Sequence, residues 1–116
     1  MTETQSDCIF CKIIQKETET KIEFEDDAVI AFRSKYPAAE VHILIVPKIH
    51  AETFLDLNDE TISNLKNAAQ KIIEQLGIKG GYKLAINGGK YQAIHHFHWH
   101  LLAGKLEDKD DVLNRT

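Results

Sequence analysis

The chain has 116 residues, with 14 Lys and Arg against 18 Asp and Glu and a formal charge of −4, a size at which one domain buries about two-thirds of its unfolded surface. Hydrophobic residues at 43% and charged residues at 28% fit a soluble globular protein and exclude disordered and fibrous classes. No apolar run reaches the ~18 residues of a membrane span, the acidic balance disfavours nucleic acid as a partner, and the polar stretch Met1 to Asp7 does not read as a secretory signal; a cytoplasmic single-domain protein is expected.

Asp7 is placed to cap a short helix running to about Gln15, with Ile9, Phe10, Ile13 and Ile14 on its apolar face. Lys21 to Glu25 alternates like a half-exposed strand, and Ala28 to Phe32 follows after an Asp26-Asp27 turn, a hairpin pattern. Val41 to Val46 is almost continuously apolar, as in a strand buried on both faces, and Pro47 ends it. The long helix is expected from Asp59 to Leu76, with Asn58 as N-cap and Gly77 as its stop. Ile62, Leu65, Ala69, Ile72, Ile73 and Leu76 recur at helical spacing along its buried stripe. Tyr82 to Asn87 and Ile94 to Leu102 read as two further strands joined through Gly88 to Gln92. These elements make an α+β fold: a mostly antiparallel five-stranded sheet with one long helix and a short N-terminal helix. The domain spans 1–116, with its core at about 7–104 and a solvated tail at 105–116.

Four of the six histidines lie between His95 and His100. Alternation along a strand puts His96, His98 and His100 on one face and Phe97, Trp99 and Leu101 on the other; His95 falls on the core-side parity. Adjacent imidazoles hinder one another's protonation, which keeps them neutral near pH 7. Such a row suits metal ligation or covalent catalysis by an imidazole nucleophile, and spacing alone leaves both open. The other unusual feature is Cys8-Ile9-Phe10-Cys11. In a chain with no secretory signal, C-x-x-C reads as metal or redox chemistry sooner than as a disulfide. Cys8, Cys11, His50 and His96 form a candidate zinc-binding Cys2His2 set, the alternative being two thiols packed as small hydrophobes beside Ile9 and Phe10.

His96-Phe97-His98-Trp99-His100-Leu101-Leu102 resembles the signature of the histidine triad (HIT) superfamily. Cys8 to Ile14, Phe24 to Asp27, His42 to Lys48 with His50, and Gly81-Tyr82 with Asn87 resemble that family's other motifs in order. The short chain is most similar to the HINT branch, nucleoside phosphoramidate hydrolases that usually work as homodimers with a sheet continuous across the interface. The resemblance implies that His98 attacks the α-phosphorus of a purine nucleotidyl substrate and forms a nucleotidyl-histidine that water then hydrolyses. By the same resemblance His100 hydrogen-bonds the α-phosphate and His96 supports the site from the other side. Phe32, Ser34, Asn87, Gln92 and Ala93 would line the nucleotide site. Some relatives hold structural zinc with a similar cysteine pair, which implies one zinc per chain and no organic cofactor, with His96 then a ligand. A dinucleoside polyphosphate hydrolase and a zinc-stabilised nucleotide-binding module without turnover are the alternatives. The chain departs from the family at Arg33-Ser34, where an acidic residue normally grips the ribose, and at Gln92-Ala93, where a Gln-Ser step normally precedes the triad.

Overall fold

A computed structural model of the chain describes residues 8–106. Helix α1 spans Ile9–Ile14, and its N-cap is Cys8, whose sulfur accepts from the Cys11 N–H; the expected cap Asp7 lies outside the described residues. Strands β1 (Ile22–Glu25) and β2 (Val29–Arg33) form the expected hairpin. Its turn is made by the Asp26 carboxylate, which accepts from the Ala28 and Val29 N–H groups, both at 2.8 Å. Strand β3 runs Ala39–Pro47, and helix α2 spans Asp59–Leu76. Asn58 caps α2 by accepting from the Thr61 N–H at 2.8 Å, and Gly77 stops it in the left-handed conformation at φ 64°. Strand β4 is Tyr82–Ile86 and β5 is Trp99–Leu106.

The five strands form one sheet in the order β1-β2-β3-β5-β4, every neighbouring pair antiparallel. Alternation gives it two apolar faces. On one, Val29, Ala31, Ile43, Ile45 and Leu101, joined by Phe97, pack under Leu65, Ala68, Ala69 and Ile72 of α2. On the other, Ile30, Phe32, Leu44 and Val46 pack against Phe10 and Ile13 of α1. Helix α1 has too few residues to be stable alone, so this second face holds it.

Four expectations need correction. The last strand begins at Trp99, not Ile94, because its approach spends its polar groups elsewhere. The Phe97 N–H donates to the Ala51 carbonyl at 2.7 Å, the Gln92 amide to the Ile94 carbonyl at 2.9 Å, and His98 Nδ1 to the His96 carbonyl at 2.8 Å. That strand also continues through Lys105 to Leu106, which pairs with Ala39, so the tail starts later than expected; residues 107–116 are outside the described set. In α2, the buried stripe uses Thr61 and Ala68 in addition to Leu65, Ala69 and Ile72, while Ile62 is only half-buried. His95, assigned to the core-side parity, is exposed because it sits in the bend before β5.

Candidate active site and metal centre

The sheet face that carries α1 also carries the imidazoles. Leu44 of β3 and Ala85 of β4 flank His100 of β5 in register, and His42 lies two residues before Leu44. His98 sits just ahead of β5 on the same side, its ring centroid 4.9 Å from that of His100 and 4.9 Å from Phe10 in an edge contact. Together they border a cavity of about 570 Å³, the size of a small-ligand site. Its apolar wall includes Phe10, Ile13, Phe32, Leu44 and Ile94, and His42, Asn87, His98 and His100 give it a polar end; Ser34 and Ala93 are also in its lining, and charged side chains such as Lys21 and Arg33 stand at its border.

The hydrogen bonds assign the tautomers. His98 Nδ1 meets the His96 carbonyl, which can only accept, so Nδ1 holds the proton and Nε2 keeps its lone pair. The Ala38 N–H donates to His42 Nδ1 at 3.0 Å, so neutral His42 carries its proton on Nε2. That Nε2 lies 3.0 Å from His100 Nδ1 and donates to it, which leaves the His100 proton on Nε2. The site thus places His98, with its Nε2 lone pair available, beside His100, whose Nε2–H points toward the Asn87 side chain. In the sequence His42 marks only the start of a motif on an apolar strand, and neither cue gives it a role at the site. The Asn87 side-chain amide lies 3.5 Å from His100 Nε2.

Burial keeps the His98 and His100 rings neutral. It pushes His98 below the ordinary imidazole value, partly offset by the bond to the His96 carbonyl. His100 falls to about 3, first through burial and then through the neighbouring His98 and His42. The sign of the consequence follows from linkage. The folded His100 has the lower pKa, so stability is full above the unfolded value of about 6.5 and is lost as pH falls from there toward 3, by at most about 1.4 kcal/mol per pH unit. In urea unfolding between pH 7 and pH 5, wild type is expected to lose more stability than His100→Gln. Equal losses in the two proteins would contradict a buried neutral His100.

The remaining expected residues divide between the cavity and its surroundings. Phe32 is buried against Phe10 with centroids 5.4 Å apart and lines the cavity, as do Ser34, Asn87 and Ala93. The Ser34 hydroxyl accepts from the Tyr36 N–H at 3.1 Å. Gln92 is buried outside the cavity lining, its amide donating to the Glu52 and Ile94 carbonyls at 2.5 and 2.9 Å. It braces the loop that carries Ala93 against the segment after His50.

His96 also lies outside the cavity lining and is fully buried. Its Nδ1 is 3.4 Å from Cys8 Sγ and 3.6 Å from Cys11 Sγ, and His50 Nδ1 is 3.4 Å from Cys11 Sγ. The donor atoms of Cys8, Cys11, His50 and His96 all fall within 4.8 Å of one another. Tetrahedral zinc, with Zn–S about 2.3 Å and Zn–N about 2.05 Å, would separate S and N donors by about 3.6 Å. The observed spacings match that figure. The tautomer fits as well, because His96 Nε2 donates to the Pro47 carbonyl at 2.8 Å, which turns the Nδ1 lone pair toward the sulfurs. Burial lowers the His96 pKa to about 4, so the ring is neutral as a metal ligand must be. His50 Nε2 is buried without a hydrogen-bond partner among the described residues, and no disulfide joins the cysteines. The four residues therefore form a metal-binding cluster with the donor set of a structural zinc site.

The profile of the HIT domain family matches residues 15–107. The chain belongs to the HIT family. It is 40% identical over 103 residues to a protein of Escherichia coli K12 named purine nucleoside phosphoramidase, covering 84% of this chain and 87% of that one. Among solved structures it is similar to a HIT family hydrolase from Clostridium thermocellum, with a TM-score of 0.83, 41% identity, and coverage of 87% of this chain and 93% of that one. It is also similar to a zinc-bound histidine triad family protein from Mycobacterium smegmatis, with a TM-score of 0.78 and 27% identity over 89% of this chain and 78% of that chain. The five-stranded antiparallel sheet with one long and one short helix is thus the HIT fold. Among the described residues no helix is long and apolar enough to cross a membrane.

Proposed function

We propose that this protein hydrolyses purine nucleoside phosphoramidates, or related nucleotidyl compounds, at the α-phosphorus through a nucleotidyl-histidine on His98. The observation that carries the reading is a neutral imidazole, its Nδ1 proton held by the His96 carbonyl, bordering an apolar cavity beside the His100 donor. His98 Nε2 attacks phosphorus with its lone pair. The P–N bond to the leaving amine breaks, and the amine departs with the bonding electrons and takes a proton from solvent. Water then attacks the same phosphorus, the P–Nε2 bond breaks with its electrons returning to His98, and one proton is released. His100 Nε2–H hydrogen-bonds the phosphate oxygens as charge builds on them. The base is held by Phe32 and its apolar neighbours, and Ser34, Asn87 and the Ala93 backbone contact the sugar and phosphate. His96 supports this chemistry through its carbonyl while its ring serves the metal cluster. AMP release from adenosine 5′-phosphoramidate tests the reading. Turnover supports it, whereas a folded, metal-loaded protein that cleaves only diadenosine polyphosphates would replace the substrate class.

His42 gives a second expected result. Replacing it with Ala releases His100 from the donor tautomer, and loss of a required tautomer is costly. The kcat for AMP release should fall at least about tenfold with a smaller change in KM, and an unchanged kcat would remove His42 from the account.

The same reading makes the protein a homodimer. Strand β4 is at the sheet edge and exposes Tyr82, Leu84 and Ile86 from one face at 55%, 41% and 44%, an apolar edge of the kind that pairs with another chain. Leu84→Asp is expected to sediment as a monomer where the wild type sediments as a dimer; a monomeric wild type would contradict the assembly. Cys8 and Cys11, held as metal ligands, suit a reducing compartment and so the cytoplasm.

A further inference from the structure

Two paths connect the Cys8, Cys11, His50 and His96 cluster to the His98 ring. The first is His96 itself. Its ring faces both sulfurs while its backbone carbonyl accepts from His98 Nδ1 at 2.8 Å. The second is Phe10, which stands between the two cysteines in α1. Its ring meets His98 at 4.9 Å and 83° and His96 at 5.9 Å and 63°, and it forms part of the cavity wall. The links themselves are buried, with His96 at 0%, Cys11 at 1%, Phe10 at 3% and His98 at 7% exposure, while Cys8 and His50 are half-buried.

The segment that bears His96 and His98 lies ahead of β5, outside the sheet ladder. Pairing with β3 and β4 therefore does not set the position of the His96 peptide. Its anchors are the Phe97 N–H to the Ala51 carbonyl, the His96 Nε2–H to the Pro47 carbonyl, and the cluster that His96 shares with α1 and His50. In a close-packed interior one member of such a unit cannot shift without moving the others. A metal would tie α1, the segment after Pro47 and the approach to β5 at one point.

We infer that the Cys8–Cys11–His50–His96 cluster is a positioning element for His98, acting through the His96 carbonyl and the Phe10 ring, so that metal binding there and nucleotide binding in the adjacent cavity reinforce each other. The nucleotide half of this inference rests on the function proposed above; the positioning half does not. Coupling of this kind is reciprocal: whatever factor the metal adds to nucleotide affinity, the nucleotide adds to metal affinity.

Two measurements on the full chain test it. The first is the 15N chemical shifts of the His98 ring in zinc-loaded, cadmium-loaded and chelator-treated protein without substrate. Cadmium, a larger ion, stretches the donor set while keeping the chain loaded should the metal-free form not fold. A single Nδ1–H tautomer is expected with zinc, with His98 shifts that move in cadmium and average between tautomers without metal. His98 shifts identical in the zinc and cadmium forms would overturn the inference. The second is a titration of cobalt-loaded protein with AMP, followed by the visible cobalt bands and by the cobalt dissociation constant. The bands should shift as AMP saturates, and the dissociation constant should fall about fivefold or more; bound AMP that leaves both unchanged overturns the coupling. If AMP does not bind, the nucleotide reading fails while the His98 shifts still decide the positioning role. When the metal-free chain folds, its kcat should drop about 10- to 100-fold with KM less affected.

Discussion

His98→Ala should lose at least about 1,000-fold in kcat for AMP release from adenosine 5′-phosphoramidate, since removing a covalent nucleophile deletes the route and not one contact along it. The substitution leaves the cavity's apolar wall and the His42–His100 relay in place. AMP binding should therefore survive within about tenfold, because the phosphate keeps its donor and the base its wall. Rate assays beside calorimetric titration of AMP separate the two effects. Turnover in His98→Ala within about tenfold of wild type would mean that a different group attacks phosphorus. Loss of turnover and binding together would mean that the substitution disturbs the cavity itself.

The second large effect is on stability. Purified protein should carry about one zinc per chain, and stripping it should lower Tm by about 15 °C. That figure follows from about 4 kcal/mol of linkage at a thousandfold excess over the dissociation constant and about 4 °C per kcal/mol for a domain near this size. Cys11 carries most of the argument: it is 1% exposed, and its sulfur lies within 3.4 and 3.6 Å of both histidine donors. Cys11→Ser should reproduce the metal-free Tm, and added zinc should not restore it. A Tm indifferent to chelation, in protein that purifies without zinc, would leave the cysteines as packed thiols.

Helix α2 was legible in the sequence because its punctuation is local: the Asn58 cap and the Gly77 stop act within one turn of the residues they terminate. Strand β3 was legible as an apolar run since both faces of the sheet are covered. The start of β5 was not. The residues before Trp99 find partners at Ala51 and Glu52, some 40 positions away, and nothing in the local alternation reports that. Parity nevertheless placed His98 and His100 on one face and Phe97 and Leu101 on the other, as the bend preserves their alternation. The Cys2His2 set could be named from residue types, but its convergence depends on α1 packing beside the end of β3. His42 is the clearest limit. Its role exists only through the β3–β5 register that brings it opposite Leu102 and beside His100. In the same way Gln92, expected at the nucleotide, spends its amide on backbone carbonyls that only the folded loop presents.

The covalent histidine is the centre of this account, and the stereochemistry at phosphorus tests it most directly. Hydrolysis of a phosphoramidothioate of adenosine with one configuration at phosphorus, in 18O-labelled water, gives a chiral product. Two in-line displacements, by His98 and then by water, each invert, so the account predicts net retention. Net inversion would establish a single direct attack by water and contradict the nucleotidyl-histidine.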